Sequence, residues 1–119
     1  MKRVDMPLPR GSKAFTLLMA ELTLLAEQLA GWLHAPQTAP GVLAALKGGC
    51  HRAKGGAGFF GLDGVALIAA ELEKCFAEER PAPESIRPLC LRLKEALAEL
   101  GAAGAPAAPA EKQGEKSRA

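Results

Sequence analysis

Apolar residues recur at intervals of three and four in four separate stretches of the chain, the spacing that gathers them on one face of a helix. The first stretch follows Ser12, a residue suited to cap a helix N-terminus. Its buried face is expected to comprise Phe15, Leu18, Met19, Leu22, Leu25, Leu29, Trp32 and Leu33. His34-Ala35-Pro36-Gln37 breaks it, and Thr38 with Pro40 reads as the cap and first turn of a second helix. The stripe of that helix is Val42, Leu43, Leu46, Cys50, Ala53, Ala57 and Phe60. Gly61 is expected to end it, and Asp63 to cap a third helix that buries Val65, Ile68, Ala69, Leu72 and Phe76. Arg80-Pro81-Ala82-Pro83 closes the third. A fourth then runs from about Pro83 or Glu84 with Ile86, Leu89, Cys90, Leu93, Leu97 and Leu100 as its stripe, tolerating Pro88 near its first turn and stopping at Gly101.

Four amphipathic helices joined by short loops imply an all-α fold, an antiparallel up-down four-helix bundle over residues 12–101. Residues 1–11, with Pro7, Pro9 and Gly11 and no periodicity, are expected to form a flexible arm. Residues 102–119 are Ala, Gly, Pro, Lys and Glu without periodicity and are expected to be a disordered tail.

Composition agrees with a bundle. Hydrophobic residues make up 49% of the 119, aromatics only 4%, and tyrosine is absent, so leucine and alanine must build the core. This length suits one small domain and leaves no room for an ATP-binding domain beside it, so any phosphoryl chemistry is expected to draw on a partner protein. A net charge of only +2, from scattered basic residues, does not favour nucleic-acid binding. Cys50, Cys75 and Cys90 are odd in number and have no metal-ligand spacing, and they read as reduced core thiols. The basic residues ahead of the apolar run from Ala14 to Leu33 imitate a signal peptide, but Glu21 and Glu27 interrupt the run at helical positions. No membrane association and a cytoplasmic location are therefore expected.

The chemistry concentrates in Cys50-His51-Arg52-Ala53-Lys54-Gly55-Gly56-Ala57-Gly58-Phe59-Phe60-Gly61. His51 falls roughly 140° around the second helix from the centre of its apolar stripe, in the company of Lys47, Lys54, Gly55 and Gly58. It should face solvent, on a surface bare enough for another protein's active site to reach the ring. Seven of the seventeen residues from Gly48 to Gly64 are glycine, each interior one costing about 0.5 to 1 kcal/mol relative to alanine, so tertiary packing must hold this helix. Gly56-Ala57-Gly58-Phe59-Phe60-Gly61 matches a dinucleotide-binding letter pattern but lacks the strand that must precede it. Glu71 and Glu73 lie two apart on a helix and cannot share a site. Glu71 points to solvent, while Glu73, roughly 80° from the buried stripe, sits at its edge and could reach the second helix. Cys50 points roughly 100° away from His51, which leaves a hydrolase or protease little support.

His51, Lys54, Gly55 and Gly61, with Ala57-Gly58 between them and Leu72-Glu73 downstream, resemble the H-x-x-K-G motif of histidine-containing phosphotransfer (HPt) domains. The run from Lys54 to Leu62 is most similar to the phosphoacceptor domain of chemotaxis-type histidine kinases. The resemblance implies that His51 is phosphorylated through Nε2, that Lys54 steadies the phosphoryl charge, and that Glu73 accepts the Nδ1 proton and orients the ring. Lys47, Gly55 and Gly58 would then belong to the partner-docking face. It implies no cofactor on this chain, with Mg²⁺ supplied by the partner's active site, and as partners a response-regulator receiver domain and a sensor histidine kinase. The chain departs from the chemotaxis-type pattern at Ala70, where a second histidine often stands, and at Gly48-Gly49, where bulkier residues are usual.

The function expected is that of a phosphorelay intermediate without kinase activity of its own, acting as a monomer. The alternative is a non-catalytic module that sequesters or inhibits a kinase or response regulator through the same face. A third possibility is an excised acceptor domain or an adaptor.

Overall fold

The computed structural model describes residues 12–104, with side chains through Gly101. Four helices follow one another: α1 (Lys13–His34), α2 (Pro40–Phe59), α3 (Asp63–Phe76) and α4 (Pro83–Gly104). Each packs on its neighbours in chain order and α4 closes the ring against α1, which is the four-helix bundle the periodicity implies. Leu18 of α1 lies against Gly56 of α2 and Leu25 lies against Gly49, so the two helices run antiparallel.

The core is aliphatic. Leu22, Leu29, Leu72, Ile86 and Leu93, drawn from α1, α3 and α4, are fully buried, together with Cys50 of α2. The few aromatic residues brace the ends: Phe15 meets Phe60 edge-on at 5.2 Å, and Trp32 meets Phe76 in the same way at 5.2 Å. The Trp32 indole also donates to the carbonyl of Gln37 at 2.9 Å, pinning the α1–α2 connection to the bundle. Helix α1 is apolar and long enough to cross a membrane by length and composition alone, but its buried side chains form one wall of this core.

Ser12 caps α1 as expected, accepting from the backbone N–H of Phe15 at 3.1 Å. The other predicted caps need correction. The N-cap of α2 is Ala39 rather than Thr38, and no side chain caps it. Pro40 at the first helical position makes a cap less necessary, since it has no N–H to satisfy. Asp63 lies inside α3 as its first residue, with Leu62 at the N-cap, so its carboxylate acts on the positive end of the helix dipole instead of capping. Gly101 does not stop α4, which continues through Gly104, because alanine at 102 and 103 offsets one glycine. Residues 1–11 and the rest of the predicted tail, 105–119, lie outside the described residues.

The expected stripes are buried, with Met19, Leu33, Val42, Leu97 and Leu100 only partly covered at the margins of the core. Cys50 and Cys90 are buried, and Cys75 is partly buried and packs against the margin of the core. All three are free.

Helix α2 ends in a tight reversal. The N–H of Gly61 donates to Gly58 at 3.0 Å and that of Leu62 to Ala57 at 2.8 Å, while Gly61 adopts φ of 74°. This is a Schellman ending, in which the left-handed residue is without penalty only as glycine. Gly55 is different, since it lies inside the helix and a Cβ there would meet nothing within 4 Å. Substitutions to alanine at the two positions should therefore have opposite signs. In urea denaturation, Gly61→Ala should lose about 1 kcal/mol or more, and Gly55→Ala should gain about 0.5 to 1 kcal/mol.

Candidate functional site

The helical phase of α2 turns Cys50 fully inward and His51 outward, with 66% of the His51 side chain exposed. Burial pushes the Cys50 thiol up to about 12, so the cysteine beside the histidine is inert. Lys54, one turn after His51, is 40% exposed, and both side chains converge on a single residue of α3. That residue is Glu73. Its Oε2 lies 3.0 Å from His51 Nδ1, and its Oε1 lies 2.8 Å from Lys54 Nζ.

The carboxylate thus uses one oxygen for each partner. Lys54 is the main reason its pKa lies below the ordinary value, with His51 adding to the effect against the opposing cost of desolvation. At neutral pH Glu73 is ionised and can only accept, so Nδ1 of His51 must be the donor. In the neutral ring this leaves Nε2 without a proton, on the opposite edge from Glu73, and its lone pair is free to attack. An exposed imidazole fixed in one tautomer and one orientation is equipped for nucleophilic chemistry on a large substrate brought from outside. No pocket of its own is needed.

Lys47, Gly55 and Gly58 lie on the same exposed face as His51. Neither Gly55 nor Gly58 has a neighbour within 4 Å of where a Cβ would stand, so nothing inside the described chain requires glycine at either position. Ala70 lies one turn before Glu73 on α3 and is partly buried beside it. It offers no hydrogen bond, and the Lys54 ammonium provides the second contact that holds the carboxylate in place. Among the described residues no group of three or more His, Cys, Asp or Glu side chains could hold a metal ion.

The sequence reading placed Arg52 and Phe59 in the stretch around His51 without giving either a role, and it did not mark Leu17 or Leu24 as part of this region. Arg52 and Leu24 line a depression between α1 and α2, and Leu17, Leu24 and Phe59 are each more than half exposed. The available signal was that these apolar residues fall off the buried stripes.

The sequence model of the Hpt domain matches residues 13–103, nearly the whole described bundle. The chain belongs to this family, whose members carry phosphoryl groups on a histidine in two-component phosphorelays and interact there with kinases and receiver domains. Among curated proteins and among solved structures no significant match was found.

The Lys54–Glu73 contact gives a direct expectation for titration. A carboxyl whose pKa is depressed in the folded state adds stability above its unfolded pKa and loses that contribution as pH falls through the folded value. Followed by the carboxyl ¹³C shift, Glu73 should titrate below 4.5 in the wild type and move up toward 4.5 in Lys54→Met. An unchanged midpoint would remove Lys54 as the cause.

Proposed function

We propose that this chain is a phosphorelay carrier that receives a phosphoryl group on Nε2 of His51 from a receiver aspartate or a histidine kinase and passes it to another receiver. The observation that supports this most directly is the 3.0 Å contact between His51 Nδ1 and Glu73 on an otherwise exposed ring. It leaves Nε2 as the reactive atom.

When the donor is a receiver, Nε2 attacks the phosphorus of its aspartyl phosphate. The N–P bond forms as the acyl O–P bond breaks, and the carboxylate leaves with the electron pair. No proton has to leave Nε2, because the ring proton is on Nδ1, where Glu73 stabilises the positive charge that develops on the imidazole. Such a transfer needs alignment and positive charge near the phosphoryl oxygens more than covalent machinery. Lys54, within one turn of His51, supplies a mobile ammonium that can exchange Glu73 for a phosphoryl oxygen. Mg²⁺ is assigned to the partner's active site rather than to this chain.

Gly55 and Gly58 keep the approach to His51 low, and Lys47 adds positive charge at its rim. Alanine would favour the helix at Gly55, so the glycine there is better explained by the close approach of a partner's backbone than by folding. The bundle closes its own core with four helices, which supports a monomeric carrier.

The test is phosphorylation by a panel of ATP-charged sensor kinases and receivers from the same genome. Acid-labile, alkali-stable label should appear in the wild type and be absent in His51→Gln. Glu73→Ala should slow labelling on the order of 10-fold or more, through loss of the tautomer and ring orientation. If no donor labels the chain while the panel labels a known acceptor, and binding survives in His51→Gln, the protein is instead a module that sequesters its partner.

A further inference from the structure

The glycine pair Gly48-Gly49, one turn before His51, is covered by a side chain that the transfer chemistry above leaves unused. Arg52 folds back along α2 so that its guanidinium lies across both glycines: a Cβ on Gly48 would stand 3.5 Å from Nη1, and one on Gly49 would stand 3.9 Å from Nη2. A side chain longer than alanine at Gly48 would displace it. Arg52 is exposed and, among the described residues, forms no ion pair. Glu21 and Gln28 of α1 border the same depression, and Glu21 does not come within ion-pair distance of it.

Rotation about α2 sets what this cation faces. At roughly 100° per residue, Lys54 lies roughly 60° from His51 in one direction, whereas Gly55, Gly48 and Arg52 follow at roughly 40°, 60° and 100° in the other. The first direction is the α3 side, since Glu73 bonds both His51 and Lys54. The second is the α1 side, since Gly56 and Gly49, further round, meet Leu18 and Leu25. Glu73 holds Nδ1 toward α3 at 3.0 Å. Nε2, on the opposite edge of the ring, therefore points outward and toward α1. Helical side chains lean toward the N-terminus, so the ring stands over the turn that contains Gly48. A phosphoryl group on Nε2 thus extends over the strip formed by Gly48 and Gly55, with the Arg52 guanidinium along its border and Lys54 on the far side of the ring.

Resting on the carrier reading above, we propose that Arg52 is the phosphoryl-binding cation of the loaded carrier, its guanidinium donating to two oxygens of the group on Nε2. Lys54 reaches that group only by exchanging Glu73 for it, which frees the carboxylate that orients the ring. Arg52 has no such partner to release. A planar guanidinium matches two phosphoryl oxygens as a fork, and it is more weakly hydrated than an ammonium. In the loaded carrier Lys54 stays with Glu73, and Arg52 holds the phosphoryl oxygens.

The test needs no partner protein. The full chain is loaded with phosphoramidate: Nε2 forms its bond to phosphorus as the bond to the departing nitrogen breaks, and ammonia leaves with the electron pair. Wild type is compared with Arg52→Gln, with Arg52→Lys and with a control of equal charge change, Arg87→Gln, at an exposed position of α4. In ¹H–¹⁵N spectra of the wild type, the Arg52 Nε–H signal should shift on loading and that of Arg87 should not. The second-order rate of loading should fall about 10-fold in Arg52→Gln, recover in part in Arg52→Lys and stay within about twofold in the control. An Arg52 signal unmoved by loading overturns the proposal, because the contact is then absent. So does a loading rate unchanged in Arg52→Gln, and so does a control slowed as much, which would make net charge the cause. A wild type that takes up no phosphoryl group, or a His51→Gln variant that loads equally, strikes the carrier reading itself and takes this proposal with it.

Discussion

Helix α2 exists because its neighbours bury one side of it. Gly41, Gly48, Gly49, Gly55, Gly56 and Gly58 all fall within its bounds, and at about 0.5 to 1 kcal/mol each they would make an isolated segment of this length unstable as a helix. Burial of Leu43, Leu46, Cys50, Ala53 and Ala57 against α1 and α3 offsets this cost. The glycines then serve two ends. Gly56 lets α1 approach, since a Cβ there would stand 2.7 Å from Leu18 Cδ1, while Gly55 and Gly58 leave the outer face bare. One helix is thereby packed closely on its inner side and kept open on its outer side, where His51 stands.

The same packing carries the chemistry. The chain reverses through Gly61 within three residues, which fixes how far α3 is displaced along α2 and brings Glu73 level with both His51 and Lys54. A slip of one residue in α3 would turn this carboxylate by about 100° and remove both contacts. Leu72, fully buried next to Glu73 in sequence, resists such a slip. The tautomer of the histidine thus depends on how a leucine is packed on the other side of the same helix.

Electrostatics and apolar exposure then distinguish the two flanks of the site. Lysine and arginine on α2, carboxylates on α3 and exposed leucines on α1 form three adjoining surfaces of different character around one imidazole. A carrier that must meet more than one partner through a single atom gains orientation from such unlike borders, because rotating the partner would set acid against acid and leave apolar surface wet.

Much of this was legible in the chain itself. Periodicity placed all four helices, the inward faces and the outward direction of His51, because each depends only on the 3.6-residue repeat and the burial of apolar side chains. Ser12 and Gly61 were legible for a similar reason, as a cap and a left-handed reversal act over three or four residues. Thr38, Asp63 and Gly101 were not, since a first-turn proline, a charge at the helix dipole and a run of alanines each shifted a boundary that local preference alone would set elsewhere. Sequence position could put Glu73 only at the edge of its stripe, where periodicity alone favoured simple solvation. Its two bonds, and the assembly of Leu17, Leu24, Arg52 and Phe59 into one flank, were decided by the tertiary structure. Contacts between helices depend on their relative register, and no repeat within a single helix contains that distance.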